Sequence, residues 1–299
     1  MTADFHLDHG PLTWPAIVVH GGAGAYDRAD LDVAALEAGL GAALDAGWAT
    51  LTGDRDPLAA VVAAVEALEQ HGGFNAGRGS VPNTAGTVEM DAGLMDDAGR
   101  AGAVACITGH APIRAAEAVL RHGGPILLAG PNADRFAEAA NVAPLHPLRV
   151  RNGASTDPAP FAGEHPGSGT VGAVAVSDDG RFAAATSTGG RGGQIPGRVG
   201  DTPIPGAGLW AQPGCAVSAT GTGEAFVLAA FARLVGDRHA AGDGLPAALR
   251  AGLNAVAAYH GDGGGIALGA DRTWGAAFTT RAMARGVRHG QSRQVTILG

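Results

Sequence analysis

The segment Gly169-Thr-Val-Gly-Ala-Val-Ala-Val176 stands where the character of the chain changes. Before it, residues 149–168 are rich in Pro, Asn, Gly, Ser and His, which is the composition of an exposed linker. After it, the turn Ser177-Asp-Asp-Gly180 leads into a second run, Arg181 to Ser187, which predicts a hairpin with an Asp-Gly turn. Both faces of the first run are apolar, so we expect a strand covered on both sides, with Thr170 as its first residue.

An exposed segment that leads directly into a buried strand headed by threonine has a chemical meaning. Cleavage of the Gly169–Thr170 peptide bond would make Thr170 a new N-terminus, whose α-amine has an ordinary pKa of about 8. That amine can accept the hydroxyl proton while Oγ attacks a carbonyl carbon. Taken alone, however, Thr170 fits an ordinary β-branched strand residue better.

The composition excludes several classes of protein. The chain has 299 residues, a net charge of −8 and no lysine, so its 20 cationic side chains are all arginines. Without lysine there can be no Schiff-base chemistry, no P-loop and no serine hydrolase with a lysine base. The acidic balance argues against a nucleic-acid partner. A hydrophobic content of 46% is enough for a large core, and 50 glycines imply many tight turns.

The two cysteines and the N-terminal residues indicate the cellular compartment. Cys106 and Cys215 are far apart and form no CxxC motif, which fits buried thiols in a reducing compartment. The N-terminal residues MTADFHLDHG lack the cationic start of a signal peptide, and no apolar run is long enough to span a membrane. We therefore expect a cytoplasmic protein with no membrane partner.

Hydrophobic periodicity predicts alternating elements in the first half of the chain. Strands are expected at Ile17 to Val19, before a turn at His20 to Gly24, and at Ala103 to Thr108 and Pro125 to Ala129. Helices are expected at Asp32 to Ala46, ending at Gly47, at Pro57 to Gln70, ending at Gly72 and Gly73, at Pro112 to Arg121, and briefly after Asn132. In the second half, a strand at Cys215 to Ala219, helices after Gly223 and Leu245, and a hairpin from Ile266 to Phe278 complete the prediction.

Seven segments resemble the plant-type asparaginase and isoaspartyl peptidase family, and they occur in that family's order. Three precede Thr170: Ile17-Val-Val-His-Gly-Gly-Ala-Gly24, Phe74-Asn-Ala-Gly-Arg-Gly-Ser-Val81 and Val88-Glu-Met-Asp-Ala-Gly-Leu-Met-Asp96. The other four are Gly169-Thr-Val-Gly-Ala-Val174, Ala183-Ala-Ala-Thr-Ser-Thr-Gly-Gly190, Gly197-Arg-Val-Gly-Asp201 and Ala219-Thr-Gly-Thr-Gly-Glu224.

The resemblance implies an N-terminal nucleophile hydrolase with an α+β fold, a four-layer α/β/β/α sandwich. It implies one domain over residues 1–299, made as a precursor that cuts itself into chains 1–169 and 170–299, with an exposed linker at about 131–169. Thr170 would attack the carbonyl of Gly169 in self-cleavage. In turnover it would form a β-aspartyl acyl-enzyme from asparagine or from a β-aspartyl dipeptide.

The resemblance also implies roles for individual residues. Thr188 would hydrogen-bond around the nucleophile, Thr220 and the N–H of Gly221 would form an oxyanion hole, and Asn75 would assist at the nucleophile, chiefly in self-cleavage. Arg198 would hold the substrate α-carboxylate and Asp201 the α-ammonium. Each residue also has an ordinary interpretation: a surface ion pair for Arg198 and Asp201, and turn or loop positions for the others.

The family resemblance implies no catalytic cofactor, but it does imply a structural sodium ion. Its ligands would be backbone carbonyls in the loop from about residue 68 to 78, from Leu68, Glu69, His71, Phe74, Ala76 and Arg78. A plain helix-terminating loop explains Gly72 and Gly73 equally well. The resemblance further implies a homodimer of two-chain protomers.

Alternatives remain at this point. The run Asp201-Thr-Pro-Ile-Pro-Gly-Ala-Gly208 also resembles the related glycosylasparaginases, and an uncleaved chain could be a non-enzymatic homologue. The loop Arg191-Gly-Gly-Gln-Ile-Pro196 departs from the family pattern, which leaves substrate preference open. A dinucleotide-binding protein is disfavoured because the glycine motifs at His20 and Gly221 lack a third glycine, and a serine esterase because no G-x-S-x-G is present.

Overall fold

Two β-sheets organise residues 5–24, 32–148 and 169–298, the parts of the chain that the computed structural model describes. The strands are β1 (His6–Pro11), β2 (Ala16–Gly24), β3 (Met90–Asp96), β4 (Ala101–Ile107), β5 (Leu127–Ala129), β6 (Val171–Val176), β7 (Phe182–Thr188), β8 (Leu209–Gln212), β9 (Cys215–Gly221), β10 (Gly263–Gly269), β11 (Thr273–Phe278), β12 (Ala282–His289) and β13 (Ser292–Thr296). The helices are α1 (Val33–Gly53), α2 (Pro57–His71), α3 (Pro112–His122), α4 (Pro131–Ala139), α5 (Gly223–Ala229), α6 (Phe231–Ala240) and α7 (Leu245–Ala258), with one 3₁₀ turn at Gly77–Gly79.

Strands from both sides of Gly169 enter both sheets. The larger sheet has the order β13-β12-β2-β6-β7-β3-β4-β5, and the smaller has the order β1-β11-β10-β9-β8. All pairings are antiparallel except that of β4 with β5. β6 lies inside the larger sheet, paired with β2 on one side and β7 on the other, as the apolar run after Thr170 predicts.

Three apolar clusters pack against the faces of the two sheets. One lies between the larger sheet and α1, α2 and α3; a second lies between the two sheets; a third joins the smaller sheet to α5, α6 and α7. Val174 of β6 belongs to the second cluster and Ala173 to the first, so alternate residues of this strand are buried on opposite faces. None of the described helices is long and apolar enough to cross a membrane.

Capping residues explain why α2 forms where the sequence predicts it. The Asp56 side chain accepts a hydrogen bond from the backbone N–H of Leu58 at 2.9 Å, and Pro57 occupies the first turn. Gly72 ends the helix in the left-handed conformation, with φ 77°. The predicted end at Gly72 is confirmed.

The predicted end of the first helix at Gly47 is wrong. α1 begins after its N-cap Asp32 and continues through Gly47 to Gly53. A Cβ at Gly47 would lie 2.3 Å from Cδ1 of Ile17 and 3.0 Å from the carbonyl oxygen of Ala60. This glycine therefore serves close packing of α1 against β2 and α2 rather than helix termination.

The predicted turn at His20 to Gly24 is also wrong, because β2 continues to Gly24. Several strands were not predicted at all: β1, β3, β8, β12 and β13. Part of the exposed linker expected at about 131–169 is packed on the first cluster instead, since α4 occupies Pro131–Ala139 and buries Ala133 and Ala137, and Leu145 is buried there too. Residues 149–168 of that predicted linker lie outside the described residues.

A buried carboxyl group ties the helices to the larger sheet. Glu69 near the end of α2 is fully buried, and its Oε1 accepts hydrogen bonds from the Ser187 hydroxyl at 2.6 Å and from the backbone N–H of Ile113 at 3.0 Å. Burial raises the pKa of Glu69 to about 8, against the smaller opposing effects of these two hydrogen bonds. The side chain is therefore protonated at neutral pH.

We expect the stability of Glu69→Gln, measured relative to the wild type, to increase as pH rises from about 4.5 to about 8. The unfolded chain loses the Glu69 proton near pH 4.5 while the folded chain keeps it, so the wild type is progressively destabilised over this range and the glutamine variant is not. One pKa unit corresponds to about 1.4 kcal/mol, so the gain should reach several kcal/mol. Urea unfolding at pH 5 and at pH 8 measures this difference in free energy of unfolding. Both proteins carry Thr170→Ala, so that a single chain unfolds in each case. A difference that does not change with pH contradicts the raised pKa of Glu69.

Candidate active site

A cavity of about 330 Å³ opens at the ends of β2, β6, β7 and β9. Its lining includes every nucleophile, oxyanion and substrate residue expected from the sequence: Asn75, Gly169, Thr170, Thr188, Arg198, Asp201, Thr220 and Gly221. These residues come from distant parts of the chain, and the pairing of β6 with β2 and β7, together with the packing of β9 against that sheet, brings them together. A cavity of this size can hold a small polar ligand.

Thr170 lies immediately before β6, at the open end of a strand that is paired on both sides. Its hydroxyl donates to Oγ1 of Thr188, the last residue of β7, at 3.1 Å. The backbone N–H of Gly190 donates to the same Thr188 oxygen at 3.2 Å. The candidate nucleophile is thus held by a buried hydroxyl that is itself fixed by the backbone.

Glycine at position 22 allows close approach to the bond that would be cut. Gly22 has φ +106°, and a Cβ there would lie 2.4 Å from both the nitrogen and the Cα of Gly169. On another side of the bond, a Cβ at Gly169 would lie 3.0 Å from Oγ1 of Thr220. The peptide linkage at Gly169 therefore lies between the end of β2 and the Thr220 hydroxyl.

The candidate oxyanion hole is formed by the end of β9. The Thr220 hydroxyl oxygen accepts a hydrogen bond from the N–H of Ala23 at 3.3 Å, which fixes its direction. Gly221 has φ +150°, and a Cβ there would lie 2.3 Å from the carbonyl oxygen of Asp262, so only glycine fits this backbone. Both groups face the cavity.

Asn75 lies on the cavity wall, where its side chain bonds to backbone rather than to the nucleophile. Its Nδ2 donates to the carbonyl of Gly190 at 2.7 Å, and its Oδ1 accepts from the N–H of Val81 at 3.2 Å. Gly190 in turn contacts Thr188. Asn75 is therefore linked to Thr170 through two intermediate residues.

Arg198 and Asp201 do not form the surface ion pair that their spacing suggests. The Arg198 guanidinium instead makes two hydrogen bonds to Glu224, Nε to Oε1 at 2.8 Å and Nη2 to Oε2 at 3.0 Å. The Arg198 side chain is only 16% exposed. This paired geometry fixes the plane of a largely buried cation at the cavity wall.

Asp201 is 4% exposed, and its Oδ2 has no hydrogen-bond partner within the described ranges. Burial raises the pKa of Asp201 to about 7, while the charge of Arg198 acts in the opposite direction. A Cβ at Gly223 would lie 2.8 Å from Nη2 of Arg198 and 2.9 Å from Oδ1 of Asp201. Glycine at 223 therefore leaves open the space where the guanidinium and the carboxylate converge.

Sequence reasoning assigned no role to Glu224, Gly223 or Gly22, although all three lie in the quoted motifs. An acidic residue four positions after Thr220, in the first turn of α5, is a signal that could have indicated a partner for Arg198. Nothing in the local pattern indicates that Gly22 faces Gly169, because that contact joins residues far apart in the chain. Arg191, in the loop that departs from the family pattern, also lines the cavity.

The loop after α2 carries backbone carbonyl oxygens, which are the ligand type expected for the sodium site. Its carbonyls at Phe74, Ala76 and Arg78 accept backbone hydrogen bonds from Ala76, Gly79 and Leu148 at 2.9, 3.0 and 2.7 Å. Each carbonyl keeps a second lone pair, and carbonyl oxygen is the ligand type that hard cations take. A Cβ at Gly79 would lie 1.9 Å from the Phe74 oxygen and 2.8 Å from that of Gly72, so these two carbonyls point toward the same glycine.

Comparison with known proteins identifies relatives over most of the chain. The family model described as Asparaginase matches residues 13–156 and 150–298. A plant-type L-asparaginase of Pyrobaculum calidifontis is 39% identical over 286 residues, covering 90% of this chain and 95% of the relative. An isoaspartyl peptidase/L-asparaginase of Xenopus laevis is 38% identical over 284 residues and covers 90% of each chain.

A bacterial relative shows similar sequence identity over a shorter region. The isoaspartyl peptidase of Escherichia coli is 39% identical over 236 residues, which is 71% of this chain and 73% of the relative. The family match spans both sides of Gly169, so it includes Thr170, β6 and the cavity wall that contains Arg198. On this evidence the chain belongs to the asparaginase and isoaspartyl peptidase family of hydrolases.

Proposed function

We propose that this protein is a self-processing threonine hydrolase that cleaves the side-chain amide of L-asparagine and the isopeptide bond of β-aspartyl dipeptides. The observation that carries the proposal is the position of Thr170, at the head of a doubly paired strand with its hydroxyl 3.1 Å from that of Thr188. Support also comes from the names of the relatives, which are asparaginases and isoaspartyl peptidases.

Self-processing would begin with attack of Thr170 Oγ1 on the carbonyl carbon of Gly169. The new C–O bond replaces the C–N bond, and the Thr170 nitrogen leaves as an amine after taking up a proton. Water then hydrolyses the ester, releasing the Gly169 carboxylate and restoring the hydroxyl. The Thr220 hydroxyl lies beside Gly169, where a donor can stabilise the developing oxyanion.

Turnover would use the same hydroxyl with the newly freed amine as its base. Oγ1 attacks the β-carbonyl of the substrate while the amine accepts the hydroxyl proton and passes it to the leaving ammonia or amino acid. Thr220 and the Gly221 N–H would bind the oxyanion, and Thr188 would hold Oγ1 in line. Water then attacks the β-aspartyl ester and aspartate departs.

Substrate recognition would rest on two opposite charges at one wall. Arg198, oriented by Glu224, would bind the substrate α-carboxylate, and Asp201 would bind the α-ammonium. The ammonium would supply the partner that Asp201 Oδ2 lacks within the described chain. The opening left by Gly223 gives an amino-acid head group access to both residues.

Several further features belong to the same proposal. The two sheets with helices packed outside them fit a four-layer α/β/β/α sandwich of the N-terminal nucleophile type, formed as one domain from chains 1–169 and 170–299. A sodium ion on the carbonyls after α2 would stabilise that loop and take no part in the chemistry. The processed protein would be cytoplasmic and form a homodimer of two-chain protomers.

Intact mass spectrometry of the denatured protein tests the proposal most directly. We expect two chains, the second beginning at Thr170, together with release of ammonia from L-asparagine and of an amino acid from a β-aspartyl dipeptide. A glycosylasparagine substrate, assayed in parallel, tests the related glycosylasparaginase activity. A single chain that persists after long incubation and hydrolyses nothing would instead identify a non-enzymatic homologue.

Thr170→Ala should remain a single chain and show no hydrolysis, because one hydroxyl serves both reactions. Its fold should be retained, since position 170 precedes β6 and is only partly buried, so the shorter side chain removes little packing. Mass spectrometry and an ammonia-release assay provide the two measurements, and circular dichroism checks the fold. Processing or turnover by this variant rules out Thr170 as the nucleophile.

Arg198→Ala should raise KM about 10- to 100-fold while leaving self-cleavage intact. The variant loses charge-assisted hydrogen bonds to the α-carboxylate, each worth about 1.5–3 kcal/mol. Steady-state kinetics with asparagine measures the effect. The matched control is Arg233→Ala, which removes an exposed arginine paired with Asp237 on α6 and should leave KM unchanged.

The pH dependence of kcat/KM should show two ionisations on the acid side. Asp201, with its pKa raised to about 7, must lose its proton to bind an ammonium group, and the Thr170 amine, with an ordinary pKa of about 8, must be neutral to act as a base. Activity is therefore lost as pH falls through both values, and the logarithmic slope approaches two. In Asp201→Asn the slope should approach one; an unchanged slope excludes Asp201 from substrate binding.

A further inference from the structure

The loop that follows β7 places a second cationic residue at the candidate active site. Arg191 lines the same cavity as Thr170 and Arg198, and the two arginines are the only cationic residues of its lining within the described ranges. Arg198 binds the substrate α-carboxylate in the proposed function, whereas Arg191 has no role there. Arg191 is half-buried, so its charge is partly withdrawn from water. A cation in this position needs an explanation.

Hydrogen bonds fix the backbone of Arg191 close to the candidate nucleophile. The N–H of Gly190, the preceding residue, donates to Oγ1 of Thr188, which also accepts from the Thr170 hydroxyl. The N–H of Arg191 itself donates to Oε1 of the buried Gln194 at 2.8 Å, and the N–H of Gln194 donates to the Arg191 carbonyl at 3.0 Å. The Arg191 side chain therefore starts from a closed turn, one residue beyond the group that contacts Thr188.

The same turn is anchored to the segment that precedes β3. The N–H of Gly193 donates to the carbonyl of Pro82 at 3.2 Å, and the N–H of Thr84 donates to the carbonyl of Gln194 at 2.8 Å. Because these bonds already order the backbone, a ligand that binds Arg191 does not have to order the loop as well. This arrangement favours a recognition role for Arg191 over that of a loose surface charge.

The proposed function uses two regions of the cavity for the acyl part of the substrate. The end of β9 would hold the oxyanion, and the wall with Arg198 and Asp201 would hold the aspartyl head group. The leaving group then lies against the rest of the lining, whose charged members in the described ranges are Arg191 and Asp262. The Asp262 carboxylate accepts the Thr222 hydroxyl at 2.7 Å and would repel an anion. An anionic leaving group would therefore bind at Arg191.

The charges near Arg191 also favour an anionic ligand. Burial lowers the pKa of Arg191, while the neighbouring charges of Glu224 and Asp262 raise it and that of Arg198 lowers it. Glu224 gives both of its oxygens to Arg198, so its negative charge is shared with that guanidinium. A carboxylate bound at Arg191 would offset the effects of burial and of the second cation.

The two proposed substrate types differ by one carboxylate. Asparagine has one, on its α-carbon, and its leaving group is ammonia. A β-aspartyl dipeptide has a second carboxylate at its C-terminus, which departs with the leaving amino acid. A bound dipeptide therefore presents two carboxylates to a cavity whose described lining contains two arginines.

We propose that Arg191 is a specificity-determining residue that binds the C-terminal carboxylate of a β-aspartyl dipeptide and so favours dipeptides over asparagine. This role rests on the proposed function, because it concerns one of the two substrate types named there. Arg191 acts on the leaving group and takes no part in the chemistry at Thr170. A guanidinium can donate two parallel hydrogen bonds to a carboxylate, so the contact should contribute about 10- to 100-fold to kcat/KM.

A cycle that removes each charge in turn tests the contact. The substrates are β-aspartyl-leucine and its C-terminal amide, which keeps the scissile bond but lacks the carboxylate. The wild type should prefer the acid over the amide by about 10- to 100-fold in kcat/KM, and Arg191→Met should show similar values for both. Arg191→Lys keeps the charge without the planar fork and should show an intermediate preference. Equal kcat/KM of the wild type for acid and amide refutes the role of Arg191.

Asparagine separates this role from assistance to Arg198 at the α-carboxylate. We expect Arg191→Met to lower the ratio of kcat/KM for β-aspartyl-leucine to kcat/KM for asparagine by about 10- to 100-fold. A loss that is equal for the two substrates would place Arg191 at the α-carboxylate instead and overturn the inference. A wild type that hydrolyses asparagine but no dipeptide overturns it as well.

Rates are normalised to the processed fraction found by intact mass, because Arg191 follows the residue that bonds to Thr188. The exposed control Arg233→Ala should keep the wild-type ratios of acid to amide and of dipeptide to asparagine. A wild type that neither processes nor hydrolyses overturns the proposed function, and the role of Arg191 falls with it. An active wild type whose acid-to-amide ratio equals that of Arg191→Met removes this inference alone.

Discussion

The pairing of β6 on both edges is the constraint on which the rest of the site depends. Backbone hydrogen bonds to β2 and β7 fix the direction in which the chain emerges at Thr170. The same pairings bring Thr188 alongside, while β9 of the facing sheet supplies Thr220. Ordering a hydroxyl on a flexible loop for reaction would cost conformational entropy. The Thr170 hydroxyl avoids that cost, because β6 already fixes its position as part of the fold.

Electrostatics at the Arg198 wall follow from burial. A guanidinium with little exposure needs a paired carboxylate, and Glu224 provides it with two hydrogen bonds. Asp201 has no such paired partner for its Oδ2 within the described ranges, and burial raises its pKa. The wall therefore combines a cation whose charge is already balanced with an acid whose charge depends on what binds, a combination suited to a zwitterionic head group.

Sequence alone predicted the elements whose signals are local. The Asp-Gly turn indicated the β6–β7 hairpin, and Pro57 with Gly72 indicated the limits of α2. Motif order also predicted which residues line the cavity. The failures have separate causes. β3 carries Asp91 and Asp96 at buried positions and so shows neither an apolar run nor alternation, and Gly47 is small for packing rather than for helix ending. The roles of Glu224 and Gly22 depend on contacts between distant segments, which no local pattern reports.

If the chain is cut at Gly169, as proposed, the interleaving of strands from both sides of that residue makes the folded state depend on two separate segments. β6 begins one segment, yet its neighbour β2 belongs to the other, and β1 of the first segment completes the edge of a sheet made otherwise from the second. Separating the two segments would break strand pairings in both sheets. Unfolding would then become a dissociation, so the melting temperature of the processed protein would depend on concentration, and recovery would require two molecules to meet. The lifetime of such a processed protein would then be set by its unfolding rate, because neither segment contains all the strands of either sheet.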